Sequence, residues 1–147
     1  MDAMNNGVYL LVLHLPVACA LNVGALRRHD FPAGWYVYAG SAHGPGGLDA
    51  RLRRHCSLDK RVRWHVDYLR AECEFVEAWT APLPADCECE WAQRLMASPG
   101  ADIPVRGFGA SDCHCASHLV HFQRKASHEF LGSLGFHGAT PTRWDGT

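Results

Sequence analysis

The stretch VYLLVLHL, residues 8–15, decides the fold, because His14 is its only polar residue. A short, nearly continuous apolar run is typical of a strand that is covered on both faces. Trp35–Ala39 is aromatic and β-branched, so it predicts a second strand. Because side chains alternate along a strand, Tyr36 and Tyr38 are expected on one face of it. The two runs predict a small central sheet between covering layers.

The rest of the chain alternates between patterns that are typical of helices and of strands. Apolar residues at i, i+4 spacing indicate helices, and Pro and Gly mark the breaks between segments. We expect helices at Leu48–Cys56, Arg63–Arg70 and Asp86–Ala97, and further strands at Val17–Val23, Glu74–Thr80 and Ser117–Phe122. Residues after Gly135 are expected to be loose, as chain ends often are.

These elements predict a single α/β domain over residues 1–147, a length that suits one domain. The expected architecture is a small central antiparallel or mixed sheet flanked by helices. Extra strand segments are expected on its N-terminal and C-terminal sides. The core should span about residues 7–122, with residues 123–147 as a tail.

Composition indicates an ordinary globular protein in a reducing environment. The chain is 48% hydrophobic and 20% charged, and its seven cysteines are odd in number and unevenly spaced. Such a set is not typical of a disulfide framework, so we expect a cytoplasmic protein. The apolar run from Tyr9 to Leu21 is broken by His14 and Pro16, and no basic residue precedes it. We therefore expect neither a membrane span nor an export signal.

Charge is unevenly distributed, although the net charge is −1. Residues 47–70 hold seven Lys or Arg against three Asp, whereas residues 71–90 hold six acidic residues and no basic one. A basic segment beside an acidic one suits a phosphate backbone that meets a metal-binding carboxylate. The alternative is two solvated faces of opposite sign.

Short motifs recur in a fixed order along the chain. Gly7-Val8-Tyr9 opens the first strand, and Arg51 and His55 stand at R-x-x-x-H spacing on a predicted helix. Three longer signatures are YVYAGSA at 36–42, WHVDYL at 64–69 and GFGASDCHCASHL at 107–119. This set resembles the GIY-YIG nuclease superfamily, and more narrowly a poorly characterised branch of it, over about residues 7–122.

Two departures from the superfamily pattern stand out. Val8 and Ala39 occupy positions where the motifs that name the superfamily have isoleucine, and Pro16–Gly34 lengthens the segment between the two tyrosine motifs. The resemblance implies a GIY-YIG-type domain that hydrolyses nucleic-acid phosphodiester bonds with Mg²⁺ or Mn²⁺. DNA is the favoured partner, and structure- or lesion-selective cutting in DNA repair or processing is the expected role.

By resemblance, the catalytic residues are Tyr9, Tyr38, Arg51, His55 and Glu88. Arg51 would clamp the phosphate, because a planar guanidinium matches phosphoryl oxygens. Either Tyr9 or His55 would activate the water: a free tyrosine has a pKa near 10, and that of histidine is better placed. The sequence leaves this choice open.

Helix phase independently supports Glu88 as the metal ligand. On a helical wheel Glu88 shares the apolar face with Trp91 and Leu95, whereas Glu90 lies opposite. An inward carboxylate must be paired, metal-bound or hydrogen-bonded, and Mg²⁺ takes few protein carboxylates beside water and phosphate. The alternative is that Glu88 bonds the first amides of its own helix.

Five further residues are predicted to shape or contact the substrate site: Gly40, Ser41, Arg53, Arg54 and His65. Glycine permits close backbone approach to a ligand. For Arg53 and Arg54 the alternative is a surface position or simple backbone contact. For His65, together with Asp67, the alternative is that it holds the short helix in place.

A cysteine and histidine cluster supplies ligand types that suit tetrahedral zinc: Cys89, Cys113, Cys115 and His118. The C-x-C spacing is not very specific, and buried free cysteines are common inert core residues. We favour the second interpretation, in which the segment packs against the Glu88 helix and braces it. Two functions other than a nuclease stay open: a non-catalytic nucleic-acid-binding module and a zinc-structured interaction domain.

Overall fold

A five-stranded antiparallel sheet with the strand order β6-β4-β1-β5-β7 forms the centre of the protein. The structure is a computed structural model, and it describes residues 6–44, 46–58, 61–84, 87–110, 115–134 and 141–144. Its strands are β1 Gly7–Leu15, β4 Gly34–Ala42, β5 Glu74–Ala81, β6 Leu119–Phe122 and β7 Thr142–Arg143. A separate two-stranded ribbon consists of β2 Cys19–Asn22 and β3 Arg28–Phe31. The helices are α1 Gly47–Cys56, α2 His65–Arg70, α3 Cys87–Met96 and α4 His128–Gly132.

Alternate residues of β1 enter two different hydrophobic cores. Tyr9, Leu11 and Leu13 pack on the face that α1 and α2 cover, together with Tyr36 and Tyr38 of β4. The opposite face of β1 packs against α3 and α4, through Val8, Leu10, Val12, Trp91, Leu95 and Leu131. The prediction of a strand covered on both faces is confirmed, as is the shared face of the two tyrosines.

The long segment between the tyrosine motifs does not displace β1 from β4. Pro16–Gly34 contains the β2–β3 ribbon, which lies outside the main sheet. β1 and β4 therefore pair directly along their whole length, and Tyr9 stands opposite Gly40. β3 was not predicted, because its exposed and half-buried polar residues give no apolar pattern.

The other predicted elements are confirmed, and their boundaries shift by at most two residues, except that β4 runs three residues beyond its predicted end at Ala39. Asp86, the predicted start of α3, lies outside the described residues. The expected division into a core ending near residue 122 and a tail was wrong, because α4 packs on the second core and β7 pairs with β5. Trp144, expected in a loose end, packs against the first core. Residues 135–140 and 145–147 lie outside the described part of the chain. None of the described helices is long and apolar enough to cross a membrane.

Glu77 on β5 attaches the C-terminal segment to the sheet. Its carboxylate is almost fully buried and accepts hydrogen bonds from the indole of Trp79 and from His128 of α4, at 2.8 and 3.0 Å. Lys125 lies 2.9 Å away. Burial alone would raise the pKa of Glu77, but these partners outweigh it and lower the pKa. Glu77 is therefore held as an anion that pins α4 to the sheet.

Replacement of Glu77 by glutamine is expected to lower the free energy of unfolding by about 1–3 kcal/mol, because buried donors lose a charged acceptor. Urea denaturation at neutral pH measures the change. Glu74→Gln is the matched control: this residue lies on the same strand with its side chain 70% exposed, and its contact with His14 is a surface ion pair. Equal losses in the two variants would contradict the anchoring role of Glu77.

Candidate functional site

Polar side chains from four elements meet where β1 and β4 run beyond the end of β6. β6 pairs with Trp35–Tyr38 only, and the last bond of this edge runs from the Ala39 N–H to the His118 carbonyl at 2.9 Å. The rest of β4 has no strand on that side among the described residues. Tyr9 of β1, Arg51 and His55 of α1, Ser41 of β4 and Glu88 of α3 are the side chains that gather there.

Tyr9 and His55 form a buried hydrogen-bonded pair. The Tyr9 hydroxyl lies 2.9 Å from His55 Nε2, and the two residues are 2% and 0% exposed. Burial raises the pKa of Tyr9, and the positive charge of Arg51 opposes this rise only in part. Tyr9 is thus a protonated phenol at neutral pH that adjoins both a guanidinium and an imidazole.

Gly40 creates the space in which the Tyr9 ring lies. A Cβ atom at position 40 would stand 2.4 Å from the Tyr9 hydroxyl and from its ring carbon Cζ, closer than side chains pack. The sequence predicted close backbone approach at Gly40, and the approach is made by Tyr9 of the neighbouring strand.

Arg51, Ser41 and Glu88 form a continuous chain across the end of β4. The Arg51 guanidinium donates to the Ser41 carbonyl at 2.9 Å, and the Ser41 hydroxyl donates to Glu88 Oε2 at 2.6 Å. Glu88 turns inward with its side chain 18% exposed, whereas Glu90 is exposed. The orientation that helix phase predicts for both carboxylates is confirmed.

His118 contacts the second oxygen of Glu88. Its Nδ1 lies 2.7 Å from Glu88 Oε1, and its side chain is 3% exposed. The backbone of His118 is held on both sides, because its N–H donates to Phe108 and its carbonyl accepts from Ala39. Glu88 is therefore positioned by two side chains, from β4 and from the segment before β6.

The donor set at Glu88 fits a hard divalent cation. A carboxylate offers about four lone-pair positions. Ser41 donates to Oε2 of Glu88, and His118 Nδ1 lies against Oε1. Mg²⁺ binds proteins through one or two carboxylates and takes its other ligands from water and phosphate. Glu88 can thus hold such an ion at the half-exposed end of the strand.

A cleft of about 220 Å³ adjoins Arg51, and its polar lining is basic. Arg51, Arg54 and Arg63 line it, and all three guanidinium groups lie near the Trp64 ring, at 4.4, 4.2 and 5.7 Å from its centre. Cation–π attraction holds such side chains against an indole face. This arrangement concentrates positive charge beside the Glu88 carboxylate.

Asp67 fixes the geometry of this basic cleft. Both of its oxygens accept from Arg54, at 3.0 and 2.9 Å, and the backbone N–H groups of Arg63 and Trp64 donate to Oδ2. Burial opposes ionisation of Asp67, but these donors outweigh it and lower the pKa to about 2. Asp67 has the structural role that was one of its two interpretations, and it directs Arg54 and Trp64 to the cleft.

Tyr38 and His65 brace the loop before residue 110. The Gly109 N–H donates to His65 Nδ1 at 2.9 Å, and Phe108 packs against both the His65 and Tyr38 rings. Burial lowers the pKa of His65 and raises that of Tyr38. His65 therefore has a structural contact with Gly109, which agrees with the alternative interpretation, and its contact with substrate stays a prediction.

The remaining predicted residues divide into two groups. Arg53 lies on the exposed side of α1 and does not line the cleft. Cys89, Cys115 and His118 do come together, with potential ligand atoms within 4.8 Å of one another. Cys113 lies outside the described residues.

Two features of the site were not predicted as such. Trp64 entered the sequence analysis only as part of a signature, although its position directly after Arg61 and Arg63 marks an aromatic residue in a basic segment. The contact of His118 with Glu88 joins positions 30 residues apart, and no local sequence pattern predicts it.

The fit between Gly40 and Tyr9 predicts that Gly40→Ala lowers the free energy of unfolding by about 1–3 kcal/mol, because the added methyl overpacks the core. Gly132→Ala is the control, since a Cβ there meets no atom closer than 3.9 Å and should change stability by less than about 1 kcal/mol. Urea denaturation of both variants tests this. A fully stable Gly40→Ala protein would show that Tyr9 is not confined.

The bonds to Asp67 predict a stability contribution that depends on pH. Its folded-state pKa is below the ordinary value of 3.8, so the contribution of about 2 kcal/mol is present above about pH 4 and lost as pH falls towards about 2. Asp67→Asn should therefore be less stable than wild type at pH 7, with the gap closing in acid. Exposed Asp30 supplies the control variant, Asp30→Asn. A gap that does not narrow in urea titrations between these pH values would refute the ionic role of Asp67.

Comparison with known proteins gives one match. The chain matches the family described as Domain of unknown function DUF123 over residues 8–135, a span that includes each candidate site residue named above. No curated protein and no solved structure matches the chain. Because the match covers most of its length, the chain belongs to the family Domain of unknown function DUF123.

Proposed function

We propose that this chain is a GIY-YIG-type, metal-dependent endonuclease that hydrolyses DNA phosphodiester bonds. One observation carries the proposal: Tyr9, His55, Arg51 and Glu88 converge from three elements beside a basic cleft. Phosphodiester hydrolysis needs this set, namely a proton acceptor for water, a cation for the phosphoryl oxygens and a carboxylate for a metal ion. We place this activity in the cytoplasm, because none of the six described cysteines is in a disulfide.

Tyr9 and His55 act together in this proposal, so no choice between them is needed. Tyr9 is too weak an acid to be a phenolate at neutral pH, since burial raises its pKa. His55 is fully buried and meets the site through the Tyr9 hydroxyl. Tyr9 therefore takes the proton of the attacking water while its own proton passes to His55 Nε2. The new P–O bond forms as the bond to the leaving oxygen breaks.

Arg51 and Glu88 provide the charges that this reaction needs. The guanidinium of Arg51 is fixed by the Ser41 carbonyl and the Trp64 ring, so it is oriented before substrate arrives. Glu88 would hold Mg²⁺ or Mn²⁺, which when bound adds positive charge to the phosphoryl and leaving oxygens. Ser41 and His118 keep the carboxylate in place.

The basic cleft indicates how a nucleic acid would be held. Its volume of about 220 Å³ suits a short piece of backbone. The Arg54 guanidinium is hydrogen-bonded to Asp67, so Arg54 would contribute positive charge to the cleft rather than a direct contact. Arg63 is exposed and would contact a phosphate directly. A small surface of this kind suits recognition of DNA structure or lesions in repair or processing better than a long base sequence. DNA rather than RNA follows from the superfamily resemblance.

Cleavage of labelled nucleic acids with Mg²⁺ or Mn²⁺ tests the proposal. The panel contains single-stranded, duplex, flap, abasic-site and uracil-containing DNA, and one RNA. Removing one essential charge commonly costs a nuclease about 100-fold or more in rate, and we expect at least this loss in Glu88→Ala. Glu90→Ala is the matched control, because Glu90 lies exposed on the same helix.

The outcomes separate the candidate functions. Cutting that is lost in Glu88→Ala and kept in Glu90→Ala supports the nuclease and names its substrate class. Equal cutting by all three proteins, with contamination excluded, would rule out the assigned site. Salt-sensitive binding without cutting under either metal would favour a non-catalytic nucleic-acid-binding module.

A further inference from the structure

We propose that Cys89, Cys115 and His118 form a zinc site directly behind Glu88. Cys89 lies in the first turn of α3, and the other two residues lie in the segment that leads into β6. Their potential ligand atoms all lie within 4.8 Å of one another, the only such group of three His, Cys, Asp or Glu residues in the described part of the chain. His118 is buried, and both cysteines are half-buried and in no disulfide.

The distances agree with tetrahedral zinc. Zinc binds thiolate sulfur at about 2.3 Å and imidazole nitrogen at about 2.0 Å, so tetrahedral geometry places two such ligands about 3.5 Å apart. Cys89 Sγ lies 3.5 Å from His118 Nε2. A thiol–imidazole hydrogen bond would also explain this one contact. That hydrogen bond would not explain why a potential ligand atom of Cys115 also lies within 4.8 Å of the other two.

The ligand types select zinc over the ion proposed at Glu88. Two thiolates and an imidazole are soft or borderline ligands that suit zinc, whereas Mg²⁺ prefers oxygen. Two thiolates also neutralise the charge of one zinc ion. The zinc site would therefore not repel a second divalent cation at the neighbouring carboxylate.

His118 would connect the two sites through its two ring nitrogens. Zinc at Nε2 leaves the hydrogen on Nδ1, and this nitrogen lies 2.7 Å from Glu88 Oε1. A zinc-bound histidine that donates its other N–H to a carboxylate is a common arrangement that orients both groups. Zinc would thus fasten α3 to the segment before β6 and set the orientation of Glu88. Only this effect on Glu88 rests on the proposed function.

Metal analysis of the purified chain, residues 1–147, tests the site without any activity assay. After incubation with zinc and removal of the excess, we expect about one zinc ion per chain. Cys89→Ser and Cys115→Ser should each lose most of this zinc. Cys19→Ser should keep it, because half-buried Cys19 lies on β2, outside the cluster. Full zinc in both cluster variants, or only trace zinc in wild type, would overturn the proposal.

A measurement on wild type alone guards against variants that fail to fold. Co²⁺ in place of zinc should give the intense sulfur-to-cobalt absorption of thiolate ligands and the visible bands of a tetrahedral ion. A cobalt-loaded protein without sulfur-to-cobalt absorption would refute the site. Zinc binding without nucleic-acid cleavage would leave the zinc site standing and count against the nuclease, and the reverse result would do the opposite.

Discussion

β1 has no solvent-facing side, and this constraint governs the positions of the other elements. Its alternate residues feed two cores, so helices must cover both faces of the sheet. A strand buried in this way cannot slip by one residue without exchanging the two faces. The register that places Tyr9 opposite Gly40 is therefore strongly determined. The packing of the two cores thus fixes the position of Tyr9 in the candidate site.

The candidate site lies where the pairing of β4 with β6 ends. β6 stops pairing with β4 after Tyr38, and beyond it α1 and α3 supply side chains from opposite faces of the sheet. Strands hold Tyr9 and Ser41, while Arg51 and His55 extend from α1 and Glu88 extends from the first turn of α3. Such a site is largely preformed, which would lower the cost of ordering these side chains in the nuclease that we propose.

The charged side chains of the site are balanced by groups that lie behind them. Three arginines around one indole repel one another, and buried Asp67 offsets part of that charge while it fixes the backbone at Arg63 and Trp64. On the other side, Glu88 is an inward carboxylate, and Ser41 and His118 satisfy it. Ser41 stands between the two charges, because its carbonyl accepts from Arg51 and its hydroxyl donates to Glu88.

Several conclusions followed from the sequence alone, because they depend on neighbours along the chain. The apolar run at residues 8–15 predicted a doubly covered strand, and helix phase predicted that Glu88 turns inward and Glu90 outward. The superfamily resemblance supplied the candidate residues, but not the partner that each of them contacts. Local patterns carried these predictions since burial of a strand or a helix face imposes a period on the residues themselves.

Only the tertiary structure decided the contacts between distant segments. The Tyr9–His55 hydrogen bond, the pairing of His118 with Glu88 and the stacking of Arg51 on Trp64 join residues that are 46, 30 and 13 positions apart. The same holds for β7, a two-residue strand that exists because β5 offers it an edge. Side-chain identity shows what a residue can bind, whereas the packing of sheet and helices decides which partner it reaches.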